Sequence, residues 1–172
     1  MKKLLIVVDY QVDFVTGSLG FPKALTLDEK IVSKIKEFDE NGDDVLFTLD
    51  THYDNYFDTI EGKNLPIKHC IFNTEGHKIY GLVREMVGNH PLILKETFGS
   101  KELFDYLKDK EYSEVYFCGV VTNICVISNA VVVKSLLPNA NIIIYKELVA
   151  SNDEEMEKMS FEIMKNLHMQ II

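Results

Sequence analysis

The sequence has no tryptophan and is sparing with three other residue types, with three cysteines, four prolines and nine glycines among 172 residues. An odd number of cysteines without paired spacing excludes a disulfide framework and fits a reduced, cytoplasmic protein. With 47% hydrophobic and 26% charged residues, no window is polar or repetitive enough for disorder. Basic charge is also short: 18 Lys and Arg stand against 27 Asp and Glu, a formal charge of −9. That leaves no footprint for nucleic acid or anionic lipid and makes a small molecule the expected partner. Long apolar runs are missing too. Leu4 to Val8 stops at Asp9, too short for the apolar part of a signal peptide, and nothing approaches the roughly 20 residues of a membrane span. The length suits one compact domain over residues 1–172.

What is present is a regular alternation of two periodicities. Strand-like runs occur at Lys3 to Asp9, Asp44 to Leu49, Pro91 to Lys95, Glu114 to Cys118, Asn141 to Tyr145 and Met169 to Ile172. Most are continuous and apolar, the pattern of strands covered on both faces. Between them lie helix-period segments. The first is expected from Thr26, which has capping-box spacing to Glu29, to Asn41-Gly42, with Leu27, Ile31, Ile35 and Phe38 as its apolar stripe. Others are expected at Glu75 to Val87, Ser100 to Lys110, Thr122 to Leu137 and Asn152 to Leu167. This order predicts an α/β fold, a three-layer α/β/α sandwich around a mostly parallel sheet of about six strands. In such sheets the site lies beyond the carboxyl ends of the strands.

Reactive side chains cluster in sequence at those ends. Asp9 closes the first strand, Asp50 and His52 follow the second, Lys95 ends the third, and Cys125 opens the helix after the fourth. In Gly119-Val120-Val121-Thr122-Asn123-Ile124-Cys125-Val126, Gly119 allows a tight turn and Thr122 is a candidate N-cap, which puts Cys125 in the first helical turn. A helix N-terminus and a nearby Lys95 would both favour its thiolate, Asp9 could move the proton, and backbone N–H groups at the helix start could hold an oxyanion. On helix position alone, a free cysteine there is more commonly a small core residue than a nucleophile. Cys118 and Cys70 read as structural. Asp50-Thr51-His52 puts two ligands on one side of an extended segment, and with His69 and Glu61 these could form an Asp/Glu/His₂ site for zinc, manganese or iron(II). His77, His90 and His168 have no suitable neighbours and read as surface or helix-end residues.

Taken in order, Val8-Asp9-Tyr10-Gln11-Val12-Asp13-Phe14, Asp50-Thr51-His52, Leu65-Pro66-Ile67-Lys68-His69-Cys70, Lys95 and Gly119 to Val126 resemble the isochorismatase-like cysteine hydrolases over nearly the whole chain. The resemblance implies a triad of Asp9, Lys95 and Cys125. It also implies a cis peptide between Val120 and Val121, and an oxyanion hole from the N–H groups of Val121 and Cys125. The Asp-x-His followed by Pro-x-x-His resembles the nicotinamidase branch, whose members hydrolyse nicotinamide to nicotinate and ammonia in NAD salvage, often as homo-oligomers, and hold one divalent metal against the substrate ring; zinc is the expected ion here, with manganese and iron(II) as alternatives. Asp50, His52 and His69 carry over directly. Glu61 is the favoured fourth ligand and Asp58 the runner-up. The tryptophan common in the substrate cage has no counterpart here. Phe14 matches the family pattern as a substrate-binding residue, and Tyr80 or Phe98 is the candidate second wall. Three alternatives stay open: another amidase or ureido hydrolase on this fold, a hydrolase using metal-bound water, and a non-catalytic binding protein.

Overall fold

The computed structural model describes residues 2–172. In chain order the elements are β1 (Lys3–Val8), α1 (Val12–Val15), α2 (Pro22–Leu25), α3 (Asp28–Glu40), β2 (Asp44–Asp50), α4 (Ile60–Asn64), α5 (Gly81–Glu85), β3 (Leu92–Lys95), α6 (Leu103–Leu107), β4 (Glu114–Val120), α7 (Ile127–Leu136), β5 (Asn141–Ala150), α8 (Glu154–Asn166) and β6 (Gln170–Ile171). The sheet order is β3-β2-β1-β4-β5-β6, and every pairing is parallel. Among the described residues no helix is long and apolar enough to cross a membrane.

The period of two in β1 sorts its side chains between two cores. Leu5 and Val7 pack with Phe47 and Tyr116 under α1, α2, α3 and α5, while Leu4, Ile6 and Val8 pack with Leu46 and Phe117 under α6, α7 and α8. These are the expected three layers. The chain leaves β1 toward β2 on one side and β4 on the other, so the order reverses between β1 and β4. A crevice opens at that switch point, beyond the strands' carboxyl ends.

Several element boundaries differ from expectation, the first for a local reason and others for tertiary ones. The first long helix begins at Asp28, because Pro22 starts a separate short helix and the Thr26 hydroxyl donates to Lys23 O at 2.8 Å instead of capping. The helix expected over residues 75–87 shrinks to α5. Residues 78–80 are drawn out against the segment after β1, with Val12 N donating to Lys78 O at 2.9 Å and Tyr80 N to Tyr10 O at 2.9 Å. The segment 100–110 is helical only over α6, since Ser100 N is taken by Asn129 Oδ1 at 2.9 Å. β5 runs on to Ala150, past a register shift against β4. β3 is an edge strand with Leu92 and Leu94 exposed, so its apolar run is not covered on both faces.

Candidate active site

Asp9 ends β1 with φ 45°, a left-handed turn that holds its side chain at the sheet edge; its N–H donates to Thr48 O at 3.1 Å. The Thr48 hydroxyl donates to Asp9 Oδ1 at 2.7 Å. Oδ2 has no aligned hydrogen bond, although the Lys95 ammonium lies 2.6 Å away. Lys95 is 1% exposed, and its Nζ also reaches Asp50 Oδ1 at 3.3 Å, Thr97 O at 2.9 Å and Cys125 Sγ at 3.6 Å. One ammonium therefore touches two carboxylates and the thiol. Burial opposes the Lys95 charge, but Asp9, Cys125 and Asp50 overcome it and hold its pKa well above the usual value.

The same burial works against both acids beside it. Burial raises the Asp9 pKa despite the neighbouring ammonium. Cys125 was expected to have a depressed pKa; instead burial pushes its thiol well up, and Lys95 only partly compensates. The candidate nucleophile therefore ionises less readily than a free cysteine. Asp50 differs: Lys95 and the two imidazoles outweigh burial and hold it well below the usual carboxylate range.

Cys125 sits at the start of the helix after β4, as expected, but the start is a wide π turn over Thr122–Val126 with Val126 N donating to Val121 O at 3.2 Å. Thr122 is inside the turn and does not cap it; its hydroxyl donates to Glu157. The Val120–Val121 peptide is cis, as the resemblance implies. Gly119 is required where β4 crosses β1. Its φ is 106°, and a Cβ there would lie 2.1 Å from Val8 O. The Asn129 amide donates to Cys125 O at 2.8 Å and Phe98 O at 3.0 Å, tying the helix to the loop after β3.

Asp50, His52, Glu61 and His69 come together from β2, the following bridge, α4 and the loop beyond it. They offer four ligand atoms, all within 4.8 Å of one another. His52 Nε2 lies 3.0 Å from Asp50 Oδ2 and 3.5 Å from Glu61 Oε1, yet it is buried with no aligned hydrogen bond. His69 Nε2 lies 3.3 and 3.5 Å from the same two oxygens, while its Nδ1 is bonded to Ile67 O at 2.8 Å, which turns the Nε2 lone pair inward. Two nitrogens and two oxygens aimed at a common point, one of them an orphan, fit a divalent cation better than a hydrogen-bonded network. Burial lowers both imidazole pKa values, but Asp50 and Glu61 reverse this and raise His52 to about 9 and His69 to about 10 in the ion-free protein. Asp58 is exposed and lies outside the cluster.

Cys125, Asp50, Glu61 and His69 share a cavity of about 410 Å³ with Phe14, Leu19, Phe21, Leu65, Phe98, Val121 and Ile124. Phe14 packs on His69 with ring centroids 5.6 Å apart. Phe98 lines the cavity and Tyr80 does not, since Tyr80 packs edge-on against Tyr10 in the core. Sequence reasoning missed Phe21 and Leu65, which nothing local distinguishes from core residues. It also missed Gln11, whose buried amide accepts from Asp50 N at 2.8 Å and donates to Asp50 O at 2.9 Å and His77 O at 2.7 Å. Its place two residues after Asp9 was the available signal. His77 is buried with Nε2 2.9 Å from the Thr51 hydroxyl, so it is not a surface residue.

Comparison with known proteins agrees with this geometry. A sequence profile described as the isochorismatase domain matches residues 3–172. The chain belongs to the isochorismatase family. Among family members, the isochorismatase family protein PncA of Bacillus subtilis (strain 168) is 32% identical over 168 residues, covering 90% of each chain. The solved nicotinamidase PncA from Bacillus subtilis is 30% identical, covers 99% of each chain and has a TM-score of 0.88. A pyrazinamidase of Pyrococcus horikoshii solved in complex with zinc is 27% identical, spans 100% of this chain and 99% of its own, and also has a TM-score of 0.88. These likenesses put the chain in the nicotinamidase branch, among hydrolases acting on amide carbon–nitrogen bonds.

Proposed function

We propose that this protein is a cysteine-dependent nicotinamidase, converting nicotinamide and water to nicotinate and ammonia. The observation that supports this most directly is the adjacency of two centres on one cavity: Lys95 joins Asp9 to Cys125, and Asp50 joins Lys95 to the cluster with His52, Glu61 and His69. In this reading Asp9 Oδ2, which lacks an aligned hydrogen bond, takes the thiol proton. The sulfur then bonds to the amide carbon, with the oxyanion facing the N–H groups of Val121 and Cys125. The carbon–nitrogen bond breaks as Asp9 returns the proton to the leaving nitrogen, and ammonia departs from a thioester. Water loses a proton to Asp9 and attacks that thioester, releasing the carboxylic acid and restoring the thiol.

Lys95 stabilises the thiolate and carboxylate as they form, which matters because the buried thiol ionises reluctantly. Asp50, His52, Glu61 and His69 would hold a divalent ion, zinc by chemistry and by the likeness to the zinc-bound pyrazinamidase. When bound, such an ion offers a Lewis-acidic anchor for a ring nitrogen. Phe14 and Phe98 supply apolar walls for the ring. The test is ammonia release by metal-replete enzyme from nicotinamide, pyrazinamide and several aliphatic amides. Release from the two heteroaromatic amides, absent in Cys125→Ala, supports the proposal; full activity in Cys125→Ala, or preference for aliphatic amides, refutes it.

A further inference from the structure

A buried polar linkage lies against the nucleophile turn and has no part in the chemistry above. Thr122 is fully buried and does not line the cavity, unlike its neighbours Val121, Ile124 and Cys125. Its hydroxyl donates to Glu157 Oε1 at 2.8 Å, across 35 residues of sequence. The other carboxylate oxygen, Oε2, pairs with Lys23 Nζ at 2.5 Å. Glu157 is 5% exposed and occupies the inward stripe of α8 with Phe161 and Met164, at i, i+4 and i+7. An apolar residue would serve packing better at that position, since burying a carboxylate is costly unless its partners compensate. The neighbouring residue of the turn is tied to the same corner of the fold. Asn123 Oδ1 accepts from the Ser151 hydroxyl at 2.6 Å, and Ser151 Oγ accepts from the N–H of Asp153, the N-cap of α8, at 3.0 Å.

The local geometry explains why such an anchor is needed. The turn is wider than an α turn: the Val121 carbonyl accepts from Ile124 N at 3.1 Å and from Val126 N at 3.2 Å, so the placement of Cys125 departs from that of a regular helix start and depends on what packs against the turn. Lys23 stands two residues beyond Phe21, which forms part of the cavity wall. Glu157 thus touches both the turn that carries the thiol and the helix that continues that wall. We propose that Glu157 is a positioning residue: through Thr122 it sets the placement of the Val121 and Cys125 amides, and through Lys23 it keeps the Phe21 wall in register with them. The inference rests on the amidase reading for its catalytic consequence and on geometry alone for its structural one.

The experiment uses metal-loaded enzyme and the variants Thr122→Val, Thr122→Ser, Glu157→Ala, Glu157→Gln and the Thr122→Val/Glu157→Ala pair. Nicotinamide turnover and alkylation of Cys125 by iodoacetamide are measured on each, with folding checked by urea titration. Thr122→Val and Glu157→Ala should each lower kcat by roughly tenfold or more, with KM within about threefold, because small displacements of reacting groups weigh on the chemical step. Thr122→Ser, which keeps the O–H···O bond, should stay within about threefold of wild type; Glu157→Gln keeps an acceptor for Thr122 but loses the charge facing Lys23, so it should fall between wild type and Glu157→Ala, and the Thr122→Val/Glu157→Ala pair should fall no further than the worse single variant. A merely stabilising contact would shift the urea midpoint and leave kcat of the folded fraction alone. Wild-type kcat in folded Thr122→Val, equal loss in Thr122→Ser, additive loss in the pair, or unfolding of both Thr122→Val and Glu157→Ala would each overturn the proposal. If only Thr122→Val fails to fold, Glu157→Ala decides. If wild type releases no ammonia, the amidase reading fails, and alkylation decides this one: the same ordering of rates supports it and equal rates overturn it.

Discussion

Replacing Lys95 by Met removes one ammonium and leaves a side chain of similar length. Asp9 and Asp50 then face each other's charge in the core without the cation now 2.6 Å and 3.3 Å from them. Deleting one partner of a buried ion pair costs about 3–5 kcal/mol, far more than the roughly 0–1 kcal/mol of an exposed pair. The loss should depend on pH. The raised folded pKa of Lys95 means its stabilisation is fully present at neutral pH and fades only as alkaline pH passes through that value, so wild type keeps the benefit throughout the neutral range. In the variant, acid allows Asp9 to escape by taking a proton, which burial already favours. Urea titration should therefore show the larger deficit near about pH 7.5 and a smaller one near about pH 5. The Cys125 thiol loses the ammonium 3.6 Å from its sulfur, so alkylation should slow at neutral pH and its profile should move to higher pH. Turnover should fall by roughly 10² to 10³, the range for loss of a group that stabilises developing charge. An unchanged alkylation profile, or a deficit below about 1 kcal/mol, would refute the electrostatic reasoning.

Cys125→Ala should lose nearly all amide turnover and stay folded, whereas Cys118→Ala, a fully buried strand position, should act through stability, as thermal unfolding and ammonia release on the same samples would show. Glu61→Gln and His52→Ala should both lower metal content by elemental analysis and raise KM for an aromatic amide, while Asp58→Asn, outside the cluster, should leave both unchanged. Loading the ion-free protein at neutral pH should release protons, because Asp50 and Glu61 raise the pKa of His52 to about 9 and of His69 to about 10, and metal affinity should climb with pH. The same raised values mean that the ion-free fold loses stability as pH rises from the unfolded histidine value, about 6.5, through that window. Phe98→Ala should raise KM for nicotinamide more than it lowers kcat, since Phe98 offers the cavity an apolar wall and no group that moves a proton or stabilises charge.

The order of strands and helices was legible in the sequence because each continuous apolar run in β1, β2, β4 and β5 advertises burial on two faces without reference to anything distant. For the same reason Asp9, Asp50, Lys95 and Cys125 stood out, each a polar or reactive residue ending or following an apolar run. Helix extents were not legible at residues 75–87, where pairing with Tyr10 and Val12 overrides a local preference. The sequence favoured Glu61 over Asp58 only through the family resemblance, and it left Phe98 and Tyr80 open, because each choice depends on which way a loop carries a side chain toward a distant strand. The state of the Cys125 thiol was decided by tertiary structure as well. Its position at a helix start suggested an acidic thiol, but desolvation is set by everything packed around the sulfur, and in this fold it outweighs the nearby ammonium.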